Sequence, residues 1–317
     1  MKLFSIIVPV YYNELNLPDT IPELLELQKS IQNYDFELIF VDDGSGDRSL
    51  SILREFQNSY PEIIKVIKLT RNFGSMAAIQ AGLTIVRGDC VGIISADLQD
   101  PPKLFEEMVQ HWENGIKVVY AVRNERKESR LSKFFSAQYY ALIRKFAIHN
   151  YPKGGFDFIL ADRQVIVEIN KINEKNTNIM ALIYWLGYEP VLLPYNRKAR
   201  EKGTSRWTFS KKIKLFIDTF VAFSYFPIRL LSVIGFLVAG GAFMYGVIIF
   251  LFWLFVGIEV LGYVPIMIVL TITSGIQMTM LGVLGEYLWR TLDESRERPT
   301  FVIDAIFDQS KRGEKDL

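Results

Sequence analysis

The chain has 317 residues, 50% hydrophobic and 22% charged, with 36 Lys and Arg against 35 Asp and Glu, and its mean hydropathy is +0.17. That composition excludes a disordered chain, and a net charge of +1 supplies no field to attract nucleic acid. With one cysteine, Cys90, and two histidines, His111 and His149, the chain forms no internal disulfide and no His/Cys zinc set, so any metal is a hard cation held by oxygen.

At the N-terminus, the apolar run 1–9 is too short for a signal peptide and lacks a small-residue cleavage site, so it reads as the start of a strand. The pattern predicts a strand over 5–10, a helix opening near Asp19 and Thr20 with Pro22 in its first turn, and a strand over 36–41. Alternation continues with a helix over 48–59, a strand over 63–69 and a helix over 75–86. A strand over 90–95, a helix over 102–114 and a strand over 117–122 follow. Strands separated by helices imply right-handed crossovers and a mainly parallel sheet covered on both faces, an α/β domain spanning 1–207.

The charge pattern changes at Arg229. Apart from Glu259, no charged residue follows until Glu286, and the runs 230–257 and 260–285 each exceed the roughly 20 residues that cross a bilayer. They predict a two-helix transmembrane hairpin over 229–288. Its linker carries no Lys or Arg, whereas Arg200, Arg206, Lys211 and Lys212 precede it and Arg290, Arg296 and Arg298 follow. That asymmetry places the domain and both termini in the cytoplasm, on a plasma membrane crossed twice. Residues 208–228 interleave Lys211, Lys212 and Lys214 with Ile213, Phe216, Ile217 and Phe220, which suits a helix in the membrane interface or one packed on the soluble domain. The remainder, 289–317, reads as a cytoplasmic tail.

Ligands of an open α/β sheet bind beyond the carboxyl ends of its strands. Tyr11 and Glu14 follow the first predicted strand, Asp42 and Asp43 the second, and Asp97, Gln99 and Asp100 the fourth. Like charges gathered on one edge repel unless a cation or a hydrogen-bonding ligand joins them, so the cluster favours a divalent ion with a phosphate-containing substrate. Taken singly, each acid also suits a helix cap or a turn, and Asp47 stays in that class. With no G-x-G-x-x-G and no P-loop in the sequence, dinucleotides and ATP hydrolysis are disfavoured.

Five motifs occur in order: Ser5-Ile6-Ile7-Val8-Pro9-Val10-Tyr11, Val41-Asp42-Asp43-Gly44-Ser45, Arg71-Asn72-Phe73-Gly74, Ala96-Asp97-Leu98-Gln99-Asp100-Pro101-Pro102, and Arg200-Glu201-Lys202-Gly203-Thr204-Ser205-Arg206-Trp207. Together with the two apolar runs they resemble the family-2 glycosyltransferases of the GT-A fold, in the subgroup that acts on polyisoprenyl phosphates, over about 5–298. The resemblance implies that Pro9, Tyr11, Glu14 and Asp43 hold the base and ribose of a nucleotide sugar, with Asp42 supporting them. It places Asp97 and Gln99 at the diphosphate, with Mg²⁺ or Mn²⁺ on Asp97 and Gln99. Arg123, Arg130 and Ser136 match phosphate-facing positions, the last two loosely, and Arg200, Ser205 and Arg206 match the motif that approaches the acceptor phosphate. Asp157 matches an acidic position near the acceptor, as a base or an orienting group, and it also suits a turn after Gly154 and Gly155. Asp97, Asp157 and Arg200 are thus the catalytic candidates. Two departures stand out: Ser95 replaces a common acid, and Glu14 lies one position later than usual.

The implied reaction is inverting, metal-dependent transfer of one hexose to a polyprenyl phosphate, with glucose from UDP-glucose as the first donor. A phosphate monoester has a second pKa of about 6, so the acceptor needs positioning more than deprotonation. GDP-mannose or an amino sugar nucleotide as donor stays open, as does a non-catalytic nucleotide-sugar-binding subunit. A processive synthase is disfavoured, because Gly203 stands where its Gln-x-x-Arg-Trp motif has Gln. A homo-oligomer is compatible with the sequence.

Overall fold

The structure is a computed structural model describing residues 1–31, 33–124, 138, 140–148, 151–152, 156, 158–172, 174–175, 177–198, 218, 221–255 and 262–309. The first half follows the predicted alternation. Strands β1 (Lys2–Val10), β2 (Tyr34–Asp42), β3 (Ile64–Leu69) and β4 (Cys90–Ile93) are joined by α1 (Leu17–Ser30), α2 (Ser49–Ser59) and α3 (Ser75–Ile85). They lie parallel in the order β4-β1-β2-β3. Helix α1 opens two residues ahead of Asp19, so Pro18 takes the amino end, where a missing N–H costs nothing, and Pro22, expected in the first turn, lies inside the helix.

Helix α4 (Leu104–Glu113) leads to β5 (Val118–Arg123), and from there the expected parallel order breaks down. Strand β6 (Phe158–Asp162) inserts between β4 and β5 and runs antiparallel to both. After α5 (Arg163–Asn170) and α6 (Ile179–Trp185), β7 (Pro190–Tyr195) pairs parallel with β5. The sheet is therefore mixed, its parallel majority interrupted by antiparallel β6. Five-residue β6 is buried along its whole length, so it has no alternation to announce it, and local sequence carries no signal for its direction.

Alternation along the central strands splits the core in two. Phe4, Ile6, Val8, Leu38 and Phe40 meet Leu17, Ile21 and Leu24 of α1, Leu53 of α2 and Phe105 and Met108 of α4. Ile7, Ile39, Val41 and Val91 face the opposite way, against Ala78 and Ile79 of α3, Val165 and Ile166 of α5 and Ile183 of α6. Both sheet faces are covered, as the alternation of strands and helices requires.

Two long helices follow, α7 (Phe226–Phe255) and α8 (Tyr263–Ser295). Among the described residues one stretch, Phe226–Ile248, is long and apolar enough to cross a membrane. The two helices are antiparallel neighbours. Gly235 lets the Met280 methyl approach, Leu231 and Ile234 share an apolar crevice with Ile272 and Ile276, and the Tyr287 hydroxyl donates to the Ser224 carbonyl at 3.2 Å. Both domain-side ends are anchored: Phe146 stacks on Phe226 at 3.8 Å, and Lys175 donates to the Asp293 carbonyl; Arg290 pairs with Asp218 of the connecting segment at 2.7 Å. The interfacial segment 208–228 lies mostly outside the described residues.

The 289–317 segment is more than a tail. Helix α8 runs on to Ser295, and β8 (Ile303–Phe307) then pairs antiparallel with β3 at the sheet edge. Its anchor is a buried charge cluster at the amino ends of β2 and β3. Glu37 accepts from the Ser5 hydroxyl, from Lys65 and from the Arg87 backbone N–H. Asp308, just past β8, pairs with Lys65 at 3.3 Å and Arg87 at 3.0 Å. The Arg54 guanidinium covers the Phe307 ring at 3.6 Å. Asp308→Ala is expected to destabilise the protein by roughly 2–3 kcal/mol, the worth of hydrogen bonds to buried charged groups, read as a lower thermal midpoint in detergent. Gln309→Ala loses only a 3.4 Å contact with Asn58 and should unfold like the wild type.

Candidate functional site

Because β1, β2, β3, β4, β5 and β7 all point one way, their carboxyl ends share one edge. Pro9 pairs with Val41 and Val10 with Asp42 in the last register of β1 and β2. Tyr11 and Tyr12 follow, edge to face at 4.7 Å, and Tyr12 adopts a positive φ of 55°. Ser45 and Ser49 hold this turn by accepting from the backbone N–H groups of Tyr12 at 3.0 Å and Asn13 at 2.8 Å. The Glu14 carboxylate accepts from the Arg48 N–H at 3.0 Å, at the start of α2. Asp47 accepts from the Ser49 N–H at 3.0 Å, as its turn reading expects.

Asp43 is the junction of this edge. Its N–H donates to Val10 at 2.9 Å, and its buried carboxylate accepts from the backbone N–H groups of Phe73 at 2.7 Å and Gly74 at 2.9 Å. Burial pushes its carboxyl above the usual aspartate range, against the pull of those two N–H groups. Asp42 is raised by burial too, opposed by contacts from Ser45. Gly44 has φ +70°, and a Cβ there would lie 2.6 Å from the Arg71 carbonyl carbon. The Asp43 turn and the Arg71–Gly74 loop therefore touch through bare backbone.

After β4 the chain turns through Asp97, with Leu98 at a positive φ of 52°. The Thr20 hydroxyl pins the turn by donating to the Ala96 carbonyl at 2.9 Å. The Ser95 hydroxyl lies 2.8 Å from Asp97 Oδ1 and 2.9 Å from Asp100 Oδ2, one proton for two carboxylates. Gln99 donates through Nε2 to the Lys198 carbonyl at 3.3 Å, while the Lys198 N–H returns to the Gln99 carbonyl at 2.9 Å. Ser95, Asp97 and Gln99 offer oxygen donors only. Among the described residues no three His, Cys, Asp or Glu side chains converge as a metal cage. This donor set fits a hard cation that takes few protein ligands and fills its shell with phosphate oxygens and water, the habit of Mg²⁺ and Mn²⁺.

The edge thus gathers Pro9, Tyr11, Glu14, Asp42, Asp43, Asp97, Gln99 and Arg123 from the sequence reading. Arg130, Ser136, Asp157, Arg200, Ser205 and Arg206 lie outside the described residues. Sequence reasoning missed a further group, in which buried Asp100 accepts from the Tyr195 hydroxyl and pairs with Arg197 at 3.0 Å. Arg123 donates to the same phenol oxygen at 3.4 Å. Asp100 had been read only as one of several acids, and Tyr195 sits on a strand that was not predicted.

The family model described as glycosyl transferase family 2 matches residues 5–171. An uncharacterized glycosyltransferase of Bacillus subtilis, YkcC, is 37% identical over 96% of this chain and 94% of its own length. A prophage bactoprenol glucosyl transferase homolog of Escherichia coli is 32% identical over 96% of this chain and 99% of its own. Glucosyl-3-phosphoglycerate synthase from Mycobacterium tuberculosis with bound UDP superposes with a TM-score of 0.48 at 15% identity, covering 69% of this chain and 79% of that one. For the contact between the two loops, Gly44→Ala is expected to cost roughly 1–3 kcal/mol, from left-handed strain and the displaced Arg71 backbone. Thermal unfolding reads it, and an unchanged midpoint would rule out that contact.

Proposed function

This chain belongs to glycosyl transferase family 2 and is a glycosyltransferase, and on that premise we propose that it moves a single hexose from a nucleotide sugar to a polyprenyl phosphate at a cytoplasmic membrane face. One observation carries the reading: a carboxylate-rich strand edge suited to a nucleotide diphosphate stands in the same chain as a long apolar helix, α7, that stacks on that domain through Phe146 and Phe226. Helix α8, antiparallel to α7 and returning the chain to β8, would be the second membrane span, keeping both termini on the domain's side.

Asp43, with Asp42 behind it, would accept hydrogen bonds from the donor's base and ribose, while Pro9, Tyr11 and Glu14 would shape the pocket. Asp97 and Gln99 would hold Mg²⁺ or Mn²⁺ beside the diphosphate. Such a cation, when bound, supplies charge neutralisation to the departing nucleoside diphosphate. The rest of the task is positioning. Arg123, Arg130, Ser136, Arg200, Ser205 and Arg206 would hold the acceptor phosphate, and Asp157 would orient it or take its proton. UDP-glucose ranks first among donors, because relatives at 32% identity are named bactoprenol glucosyl transferases.

Incubation with polyprenyl phosphate and UDP-glucose, UDP-galactose, UDP-GlcNAc or GDP-mannose, with the lipid product weighed by mass spectrometry, tests donor and acceptor together. The UDP-glucose product should dominate, vanish in EDTA, return with Mg²⁺ or Mn²⁺, and be lost in Asp97→Asn. Full turnover in chelator would remove Asp97 from the metal role.

The raised Asp43 carboxyl sets a pH dependence. Protonation removes its acceptor capacity at a pH above the ordinary aspartate value of about 4. UDP affinity should therefore fall on acidification through that raised value and recover above it, whereas Asp43→Asn should bind weakly and without this slope. Stability of the ligand-free protein should move oppositely: the folded state holds this proton more tightly than the unfolded one, so stability from this group is lost as pH rises through the raised value. Titration calorimetry and thermal unfolding across acid pH read the two trends.

A further inference from the structure

Two arginines at the β5/β7 flank are tied to a single buried carboxylate. Strands β5 and β7 run parallel, and their register sets Arg123 beside Tyr195 at the last pair. The Tyr195 hydroxyl donates to Asp100 Oδ1 and accepts from Arg123 Nε at 3.4 Å. Arg197, two residues past β7, brings its Nε within 3.0 Å of the same carboxylate oxygen as an ion pair without hydrogen-bond alignment. The second oxygen of Asp100 accepts from Ser95 at 2.9 Å. The Asp100 side chain is wholly buried, and a buried charge persists only when its lone pairs are met. Burial, reinforced by the neighbouring Asp100 charge, drives the Tyr195 phenol well above its ordinary range, so it remains a donor.

The place of this cluster in the sheet indicates which phosphate it serves. Asp43 and the Arg71–Gly74 loop lie at the ends of β2 and β3, on one side of the Asp97 turn after β4; Arg123, Tyr195 and Arg197 lie on the other, at β5 and β7. The Gln99–Lys198 backbone pair holds the chain leaving β7 against the Asp97 turn, and α7 is the next described helix in chain order. Resting on the lipid-phosphate acceptor of the function above, we propose that Asp100 is a positioning residue that aims Arg197 directly, and Arg123 through Tyr195, at the acceptor phosphate.

Steady-state kinetics of the full chain in detergent, with polyprenyl phosphate and UDP-glucose varied separately, tests this. Tyr195→Phe keeps the ring and removes only the hydroxyl, so it is the deciding variant. It should raise KM for polyprenyl phosphate about 10-fold, the scale of one hydrogen bond to a charged group, with KM for UDP-glucose near wild type and a lowered thermal midpoint, since buried Asp100 loses a donor. Because Tyr195 acts through Arg123, Tyr195→Phe/Arg123→Ala should be no worse than Arg123→Ala alone. Asp100→Asn should raise the same KM further, since both arginines lose their anchor. An unchanged acceptor KM in Tyr195→Phe, a rise in KM for UDP-glucose instead, or full additivity in the double variant would overturn the proposal while leaving the proposed function intact. Absence of wild-type transfer to polyprenyl phosphate would overturn both.

Discussion

The site is organised around one buried carboxylate that accepts two backbone hydrogen bonds. Asp43 ties the end of β1, through Val10, to the loop after β3, through Phe73 and Gly74. Those two N–H groups lie at the amino end of α3, where a helix leaves donors without intrahelical partners. A neutral side chain in this position would meet them less well, and a charge without them would be too costly to bury. Gly44 completes the junction, because a side chain there would push the two loops apart.

At the other end of the sheet, Glu37, Lys65, Arg87 and Asp308 solve a different problem. A short edge strand such as β8 has few ladder hydrogen bonds, and a buried ion cluster adds charge pairing that specifies where it docks. Since β8 follows α8, the sheet is complete only after both long helices have been made. The contacts Lys175–Asp293 and Phe146–Phe226 tie α8 and α7 to the domain that β8 completes.

Between the two flanks of the site sits Ser95, whose single proton faces Asp97 and Asp100. The sequence reading treated Ser95 as a lost ligand. In the fold it joins the carboxylate nearest the proposed metal to the carboxylate beside Tyr195 and Arg197.

Much of this was legible in the residues themselves. Apolar strands alternating with amphipathic helices specified β1 to β5 and α1 to α4, because each element's period is written locally. The carboxylates after β1, β2 and β4 could be assigned to one edge, since parallel strands joined by crossovers end together. The charge gap after Arg229 marked the long helices, because hydrocarbon-length apolar runs need no tertiary information to be seen. Strands β6, β7 and β8 were beyond reach, because the place of each depends on partners distant in sequence. The Asp100, Tyr195 and Arg123 cluster follows from that. Tyr195 lies 95 residues from Asp100 and 72 from Arg123, and only the β5–β7 register brings them together, a contact whose energy exists only once the sheet has closed.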